Sequence, residues 1–200
     1  MEDSKKMAFS QNTWWLSIMS FLNDVSSEMI QPVLPFFLIS VLSLSKGDVG
    51  LIEGLAAAVT SFFLWYSGVW SDRVHARKKI VVFGYTLSAF TKPLFGVVMT
   101  PWQAALLRVL DRSGKGLRDT PRDALISEST DRAHRGGSFG LNRAFDMLGR
   151  VIGSLLVLYI LRVLPVSAET YRFIFKISFF PAIIGVVLII LFVRDRPAAR

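Results

Sequence analysis

Apolar residues in this chain gather into long runs separated by short charged stretches. Ile80–Met99 contains one lysine, Val49–Trp70 one glutamate and Phe173–Val193 one lysine. A hydrocarbon core about 30 Å thick takes roughly twenty residues of helix to cross. The pattern predicts an all-α, polytopic membrane protein with spans at about 14–40, 49–70, 80–99, 102–118, 139–164 and 173–193. Trp14, Trp15, Trp70, Trp102 and Tyr171 fall near the ends of these spans, where an aromatic ring with a polar tip suits the membrane interface. Pro32, Pro35, Pro93 and Pro181 fall inside spans and read as kinks, which neighbouring helices tolerate.

The fourth span is the most polar, with Arg108, Asp111, Arg112, Lys115 and Arg118. These positions advance by three or four and so share one broad stripe of a helix. Loop charge argues for keeping the span. With six spans and the N-terminus inside, twelve basic residues face the cytoplasm and two, Lys46 and Arg172, face out. The twelve include Lys5, Lys6, Arg196 and Arg200. Dropping the span reverses the balance, against the positive-inside tendency. Residues 1–200 are therefore expected to form a single six-helix domain, multi-pass in the plasma (inner) membrane, with both termini cytoplasmic.

Composition narrows the chemistry. Hydrophobic residues make up 52 % of the chain and charged ones 19 %, and there is no cysteine. Disulfides and thiolate metal sites are therefore excluded. The two histidines, His75 and His134, lie outside the apolar runs, so no metal site or cofactor is expected. The formal charge of +8 punctuates membrane spans rather than covering a soluble surface, and no nucleic-acid partner is expected. Ser113-Gly114-Lys115-Gly116 lacks the spacing and the preceding strand of a phosphate loop. No catalytic constellation is present, and an enzyme is not expected.

Fourteen charges lie within the spans. The basic ones are Lys92, Arg108, Arg112, Lys115, Arg118, Arg143, Arg150, Arg162 and Lys176; the acidic ones are Asp24, Glu28, Glu53, Asp111 and Asp146. A charge at the bilayer centre costs about 2.5–3.5 kcal/mol on insertion scales, so such groups must face a wet cavity or one another. A helical rise of about 1.5 Å per residue puts Asp24, Asp111–Arg112 and Asp146–Arg150 at similar depth on three helices. Transporters place substrate and coupling-ion sites there; a structural salt-bridge network is the alternative. Asp24, Glu28, Arg108, Asp111, Arg112, Lys115, Arg143, Asp146 and Arg150 are the candidate substrate and proton-coupling residues. Asp24 and Glu28, one turn apart, are a like-charged pair suited to reversible protonation. Gly149 and Gly153 have the spacing that lets two helix backbones approach closely.

The segment Gly68-Val-Trp-Ser-Asp72-Arg73-Val-His75-Ala-Arg77-Lys78 resembles the loop G-x-x-x-D-R/K-x-G-x-R/K-R/K of the major facilitator superfamily, with His75 in place of the second glycine. Arg108 through Gly116 is similar to that family's fourth helix, an arginine followed by a glycine-rich stretch. Gly149-Arg150-Val-Ile-Gly153-Ser154 resembles its antiporter motif, with Arg150 and Ser154 replacing a proline and a glycine. The resemblance implies a six-helix half bundle of 3+3 inverted repeats, the first of two halves around a central cavity. It also implies a secondary active transporter of the rocker-switch type that needs no ATP or metal, with Gly68, Asp72, Arg73, Arg77 and Lys78 as a gating motif. In that family the loop aspartate meets a helix N-terminus of the opposite half. Here that would be the start of helix five, near Gly137–Gly140, of a partner. The expected partners are the lipid bilayer, a small polar or anionic solute, and a second half supplied by a homodimer or a separate six-helix unit. Symport and antiport both remain open. The alternative readings are an isolated half of a longer transporter and a non-transporting membrane assembly subunit.

Overall fold

The computed structural model describes residues 9–74 and 76–195. Lys5, Lys6, His75, Arg196 and Arg200 lie outside the described residues. Eight α-helices follow in order: α1 (Gln11–Ile30), α2 (Leu34–Ser40), α3 (Lys46–Val74), α4 (Arg77–Leu94), α5 (Pro101–Glu128), α6 (Arg135–Val163), α7 (Ala168–Ile177) and α8 (Phe179–Phe192). Short 3-10 turns at Phe95–Val97 and Arg132–His134 extend α4 and precede α6. No strand occurs among the described residues.

Local chemistry sets several boundaries. Ser10 accepts the Thr13 N–H at 3.1 Å and starts α1, and Ser167 does the same for α7 through Thr170. Thr100 and Gln103 form a reciprocal capping box around Pro101 at the head of α5, satisfying donors that the first turn leaves free. The prolines fall at helix interruptions, with Pro35 in the first turn of α2 rather than inside a kinked helix. Pro32 lies in the turn between α1 and α2, Pro93 lies inside the last turn of α4 two residues before the 3-10 turn, and Pro181 follows the break between α7 and α8. Chain turns at 31–33 and at Ser178 keep helical backbone angles, so α1–α2 and α7–α8 each continue as one interrupted unit.

Six helical units result. Four are long and apolar enough to cross a membrane: Lys46–Val74, Arg77–Val97, Arg132–Val163 and Ala168–Phe192. The first unit is interrupted and α5 is highly charged. Helix α5 also corrects a sequence expectation. It runs past Arg118 to Glu128, through Pro121, where the polar string Arg118-Asp119-Thr120-Pro121-Arg122-Asp123 reads as a loop. Gly114, Leu117, Arg118, Pro121, Arg122 and Leu125 bury a single face of it, and that packing carries the helix through the proline.

The principal pairings are α1 with α6, α3 with α5, α4 with α5, and α8 with α1 and α4. Exchanging the first three units for the last three maps α1–α6 onto α5–α3 and α4–α5 onto α8–α1, the pattern of an inverted repeat. Small residues permit the closest approaches. A Cβ on Gly149 would stand 2.6 Å from the Phe21 carbonyl, and one on Gly153 2.5 Å from that of Val25. Gly84 and Gly114 do the same between α4 and α5, each facing the other's carbonyl.

Two apolar cores close the bundle at opposite ends. One packs Phe37, Leu38, Phe95, Ile174 and Phe175 near the α2–α3 and α6–α7 connections; the Phe37 and Phe175 rings meet edge-on at 5.1 Å. The other packs Leu16, Met19, Tyr85, Ile126 and Ile189 near the two ends of the described chain. Between them lies a belt of charged and hydroxyl side chains.

Candidate functional site

The belt encloses a cavity of about 170 Å³ bounded by α1, α4, α5 and α6. Six basic side chains line it, Lys92, Arg108, Arg112, Lys115, Arg118 and Arg150, against three acidic ones, Asp24, Glu28 and Asp111. Asp24 and Glu28 sit one turn apart on α1. Asp111, Arg112, Lys115 and Arg118 form the stripe of α5, and Lys92 projects from α4.

Some of these charges are paired. Arg150 Nε donates to Asp24 Oδ2 at 3.2 Å, joining α6 to α1. Buried Arg108 donates to Glu53 Oε2 on α3 at 2.7 Å and has Asp111 Oδ2 at 3.8 Å. Ser88 donates to the other oxygen of Asp111. Arg118 stacks over the buried Tyr85 ring at 4.2 Å and lies 3.6 Å from Asp119. Its Nη1 is buried with no hydrogen-bond partner.

Others are not. Lys92 is 1 % exposed and donates only to hydroxyls, Ser26 Oγ at 2.8 Å and Ser27 Oγ at 3.1 Å. Ser26 in turn donates to the Ser178 carbonyl at the α7–α8 break. Arg112 donates to the neutral Gln31 amide oxygen at 3.2 Å. Lys115 and Glu28 have no oppositely charged side chain within 4 Å among the described residues.

Seven of the nine candidate site residues, Asp24, Glu28, Arg108, Asp111, Arg112, Lys115 and Arg150, thus meet around one cavity. Asp146 and Arg143 do not line it. Asp146, 3 % exposed, accepts from Ser20 Oγ, from Asn142 at 3.2 Å and from Arg143 at 3.4 Å. Arg122 donates to the same Ser20 hydroxyl at 2.8 Å and to Asp123 at 2.9 Å. This is a second, separate network, one helical turn from the Asp24–Arg150 pair. Arg162 and Lys176 are exposed.

Lys92, Arg118 and Arg122 belong to the belt, yet the sequence reading gave them no role. Lys92 is a lone cation in an apolar run, and the run alone does not say where its ammonium goes. Arg118 was already on the stripe of the fourth span, and Arg122 continues that stripe at the same spacing.

The junction of α3 and α4 places the residues for which the family resemblance implies gating. Arg77 bonds Asp72 at 2.8 Å and also Glu128 at the end of α5. Asp72 keeps 69 % of its side chain exposed, and Arg73 lies in the last turn of α3. The Lys78 N–H donates to Asp195 and its ammonium to the Ile190 carbonyl, both at 2.9 Å. Gly68 brings α3 against α5, where an added Cβ would meet Thr120 at 3.2 Å.

Comparison with known proteins agrees with this architecture. Residues 16–200 match the family model described as Major Facilitator Superfamily. An uncharacterized MFS-type transporter of Methanocaldococcus jannaschii is 39 % identical over 191 residues, 94 % of this chain and 46 % of the relative. A relative in Cupriavidus pinatubonensis, named a probable 4-methylmuconolactone transporter, is 26 % identical over 92 % of this chain and 41 % of its own length. The chain thus spans less than half the length of these relatives. Among solved structures, a bacterial homolog of the human lysosomal transporter Spinster, inward-facing and unoccupied, superposes with a TM-score of 0.77 at 18 % identity. That match covers 99 % of this chain and 45 % of the other. The helical bundle shares the fold of that transporter, and by the match over residues 16–200 and the Methanocaldococcus jannaschii relative the chain belongs to the Major Facilitator Superfamily, a family of integral membrane transporters.

Proposed function

We propose that this chain forms one six-helix half of a secondary active transporter that moves a small anionic solute by alternating access, coupled to protons. The observation that carries the anionic reading is the cavity lining, six basic side chains against three acidic ones. Charges so far from bulk water need counter-charges, and a solute anion supplies them. Asp24 and Glu28 line the same cavity one turn apart on α1 and are the proton-coupling candidates, with Asp111 beside them. Arg108, Arg112, Lys115 and Arg150 anchor the solute or partner the carboxylates. All six helical units span the membrane in this reading. Both termini are cytoplasmic, which satisfies the basic-residue asymmetry.

The second half comes from a further six-helix unit or from a second copy of this chain. Relatives about twice as long favour a two-half assembly over a lone bundle. Asp72, Arg73, Arg77 and Lys78, with Gly68 holding α3 close to α5, form the gate at the junction.

Proteoliposome uptake under an imposed proton gradient tests the proposal, with native mass in nanodiscs reporting whether one or two copies are present. Asp24→Asn and Glu28→Gln should reduce gradient-driven anion uptake at least about tenfold, a loss of about 1.4 kcal/mol, while leaving folded protein in the membrane. Unchanged uptake in both variants removes them from coupling. A chain that carries no solute in any assembly, and whose variants lose only partner binding, is an assembly subunit instead.

A further inference from the structure

Of the six cations that line the cavity, Lys92, Arg108 and Arg118 are buried and Arg112, Lys115 and Arg150 are not. The buried three differ in what completes them. Arg108 donates to Glu53 at 2.7 Å, and Arg118 lies 3.6 Å from Asp119 over the Tyr85 ring. Lys92 has no carboxylate within 4 Å among the described residues. The acids of the cavity are engaged elsewhere or stand off. Asp111 accepts from Ser88 and has Arg108 at 3.8 Å, Asp24 accepts from Arg150, and Glu28 makes no ion pair with a described residue.

The surroundings of Lys92 are nonetheless built for an ammonium. Its Nζ donates to Ser26 Oγ at 2.8 Å and to Ser27 Oγ at 3.1 Å, both on α1. The Ser26 hydroxyl gives its own proton to the Ser178 carbonyl at the α7–α8 break, so its oxygen can only accept from Lys92. An ammonium has three N–H donors; two are held by these hydroxyls and one has no acceptor among the described residues. Hydroxyls fix the group in place but carry no net charge to neutralise it, and a buried charge left so is costly. Apolar Ile30 and Phe95 line the same cavity, a wall that an apolar side chain at position 92 would extend without that cost.

We infer that Lys92 is the anchor of the transported anion, its third N–H donating to a carboxylate or phosphate oxygen held in the cavity between α1, α4 and α5. The inference rests on the anion-transport reading and assigns its principal contact to a residue of α4. Ser26 and Ser27 are positioning residues, which aim the ammonium from α1.

Thermal-shift titration of the full chain in nanodiscs with acetate, succinate and inorganic phosphate, at fixed ionic strength, tests it. At least one of the three should raise the unfolding temperature of the parent. Acetate or succinate alone identifies a carboxylate site, and phosphate alone a phosphate site. Lys92→Gln keeps an N–H for the serines and loses the charge. It should bind the same anion at least about tenfold more weakly, as expected for loss of one charge-assisted hydrogen bond. Lys92→Met should do the same and carries the binding test if Lys92→Gln does not fold. Lys92→Arg, with its charge kept, should recover part of the affinity. Without anion, Lys92→Gln or Lys92→Met should melt at or above the parent, because a buried charge that no protein group neutralises has been removed. A lysine that serves only to balance Asp111 or to hold the bundle predicts the opposite. No stabilisation of the parent by any of the three anions, parent-like binding in whichever variant folds, or a lowered anion-free unfolding temperature in both variants each overturns the anchor. Uptake measurements separate this failure from that of the anion reading. Anion uptake that survives both substitutions removes the anchor and leaves anion transport standing, whereas a parent that carries only neutral or cationic solutes removes both.

Discussion

Asp24 and Asp146 are both carboxylates deep in the same pair of packed helices, one turn apart along α1 and α6, and they sit in opposite kinds of environment. Asp146 is enclosed: Ser20, Asn142 and Arg143 all donate to it, and Arg122 shares the Ser20 hydroxyl. Asp24 has a single charged partner within 4 Å among the described residues, Arg150, whose side chain is 45 % exposed, and it faces the cavity. The cause lies in the neighbours. Around Asp146, Ser20 and Asn142 reach the carboxylate directly, and Arg143 and Arg122 close over them and fill the volume. Around Asp24 the neighbours are Arg112, Lys115 and Lys92, whose long side chains stand apart and leave a cavity. The Asp24 carboxylate thus keeps room beside it for a solute or a proton donor, whereas the hydrogen bonds of Asp146 are taken up by protein groups.

The largest expected effect falls on the enclosed network. Asp146→Ala removes the acceptor of three donors and leaves Arg122, 5 % exposed, in a depleted network. Removing one partner of a buried charge network costs about 3–5 kcal/mol. The variant should show a clearly lower unfolding temperature or fail to accumulate, read by fluorescence-detected size exclusion. A stable Asp146→Ala protein that has lost only transport would place Asp146 with Asp24 after all. Next in size is the contact that holds both carboxylates in register. Gly153→Leu drives a side chain into the Val25 carbonyl, 2.5 Å from where its Cβ must sit, and overpacking of this kind costs about 1–3 kcal/mol. Gly140→Ala, inside α6 with nothing within 4 Å of its Cβ, is the control and should melt at or above the parent, since alanine is favoured over glycine in a helix by up to about 1 kcal/mol.

The sequence carried much of this and stopped at identifiable places. Apolar runs located the helical units other than α5, loop charge argued for α5, and the spacing from Arg108 to Arg118 located its charged face. Gly149 and Gly153 announced the close contact with α1 that the structure contains. Depth along a helix could not separate Asp146 from Asp24, because rise fixes height and not which neighbours fill the space. Arg122 was hidden by a polar string around Pro121 that resembles a loop, although Leu117, Leu125 and Ile126 keep the helical period and are buried. Lys92 was hidden because its partners are hydroxyls on a distant helix, and pairing with Ser26 and Ser27 leaves no mark in local sequence.

A smaller effect on stability is expected on the open side. Arg150→Gln breaks one half-exposed ion pair, and such pairs contribute about 0–1 kcal/mol. The unfolding temperature should fall little beside that of Asp146→Ala, while anion uptake falls severalfold. A stability loss as large as that of Asp146→Ala would make the Asp24–Arg150 pair structural and erase the distinction between the two turns.

The smallest expected effect is at Asp72, and it is informative for that reason. Its carboxylate is bonded to Arg77, but Arg77 also holds Glu128, so Asp72→Asn leaves Arg77 paired. With 69 % of its side chain exposed, Asp72 desolvates little, and its local pair should contribute less than about 1 kcal/mol. Folding therefore gives no reason for a charge at this position. The family resemblance implies one, docking against a helix N-terminus of a second half, where partial positive charge favours a carboxylate. Asp72→Asn should accordingly leave the unfolding temperature nearly unchanged and alter the thiol-labelling rate of a cysteine introduced at Ser27, which lines the cavity. Arg77→Gln should do more to stability, since it releases both carboxylates. If Asp72→Asn changes neither labelling nor copy number in nanodiscs, its role ends at the local pair with Arg77.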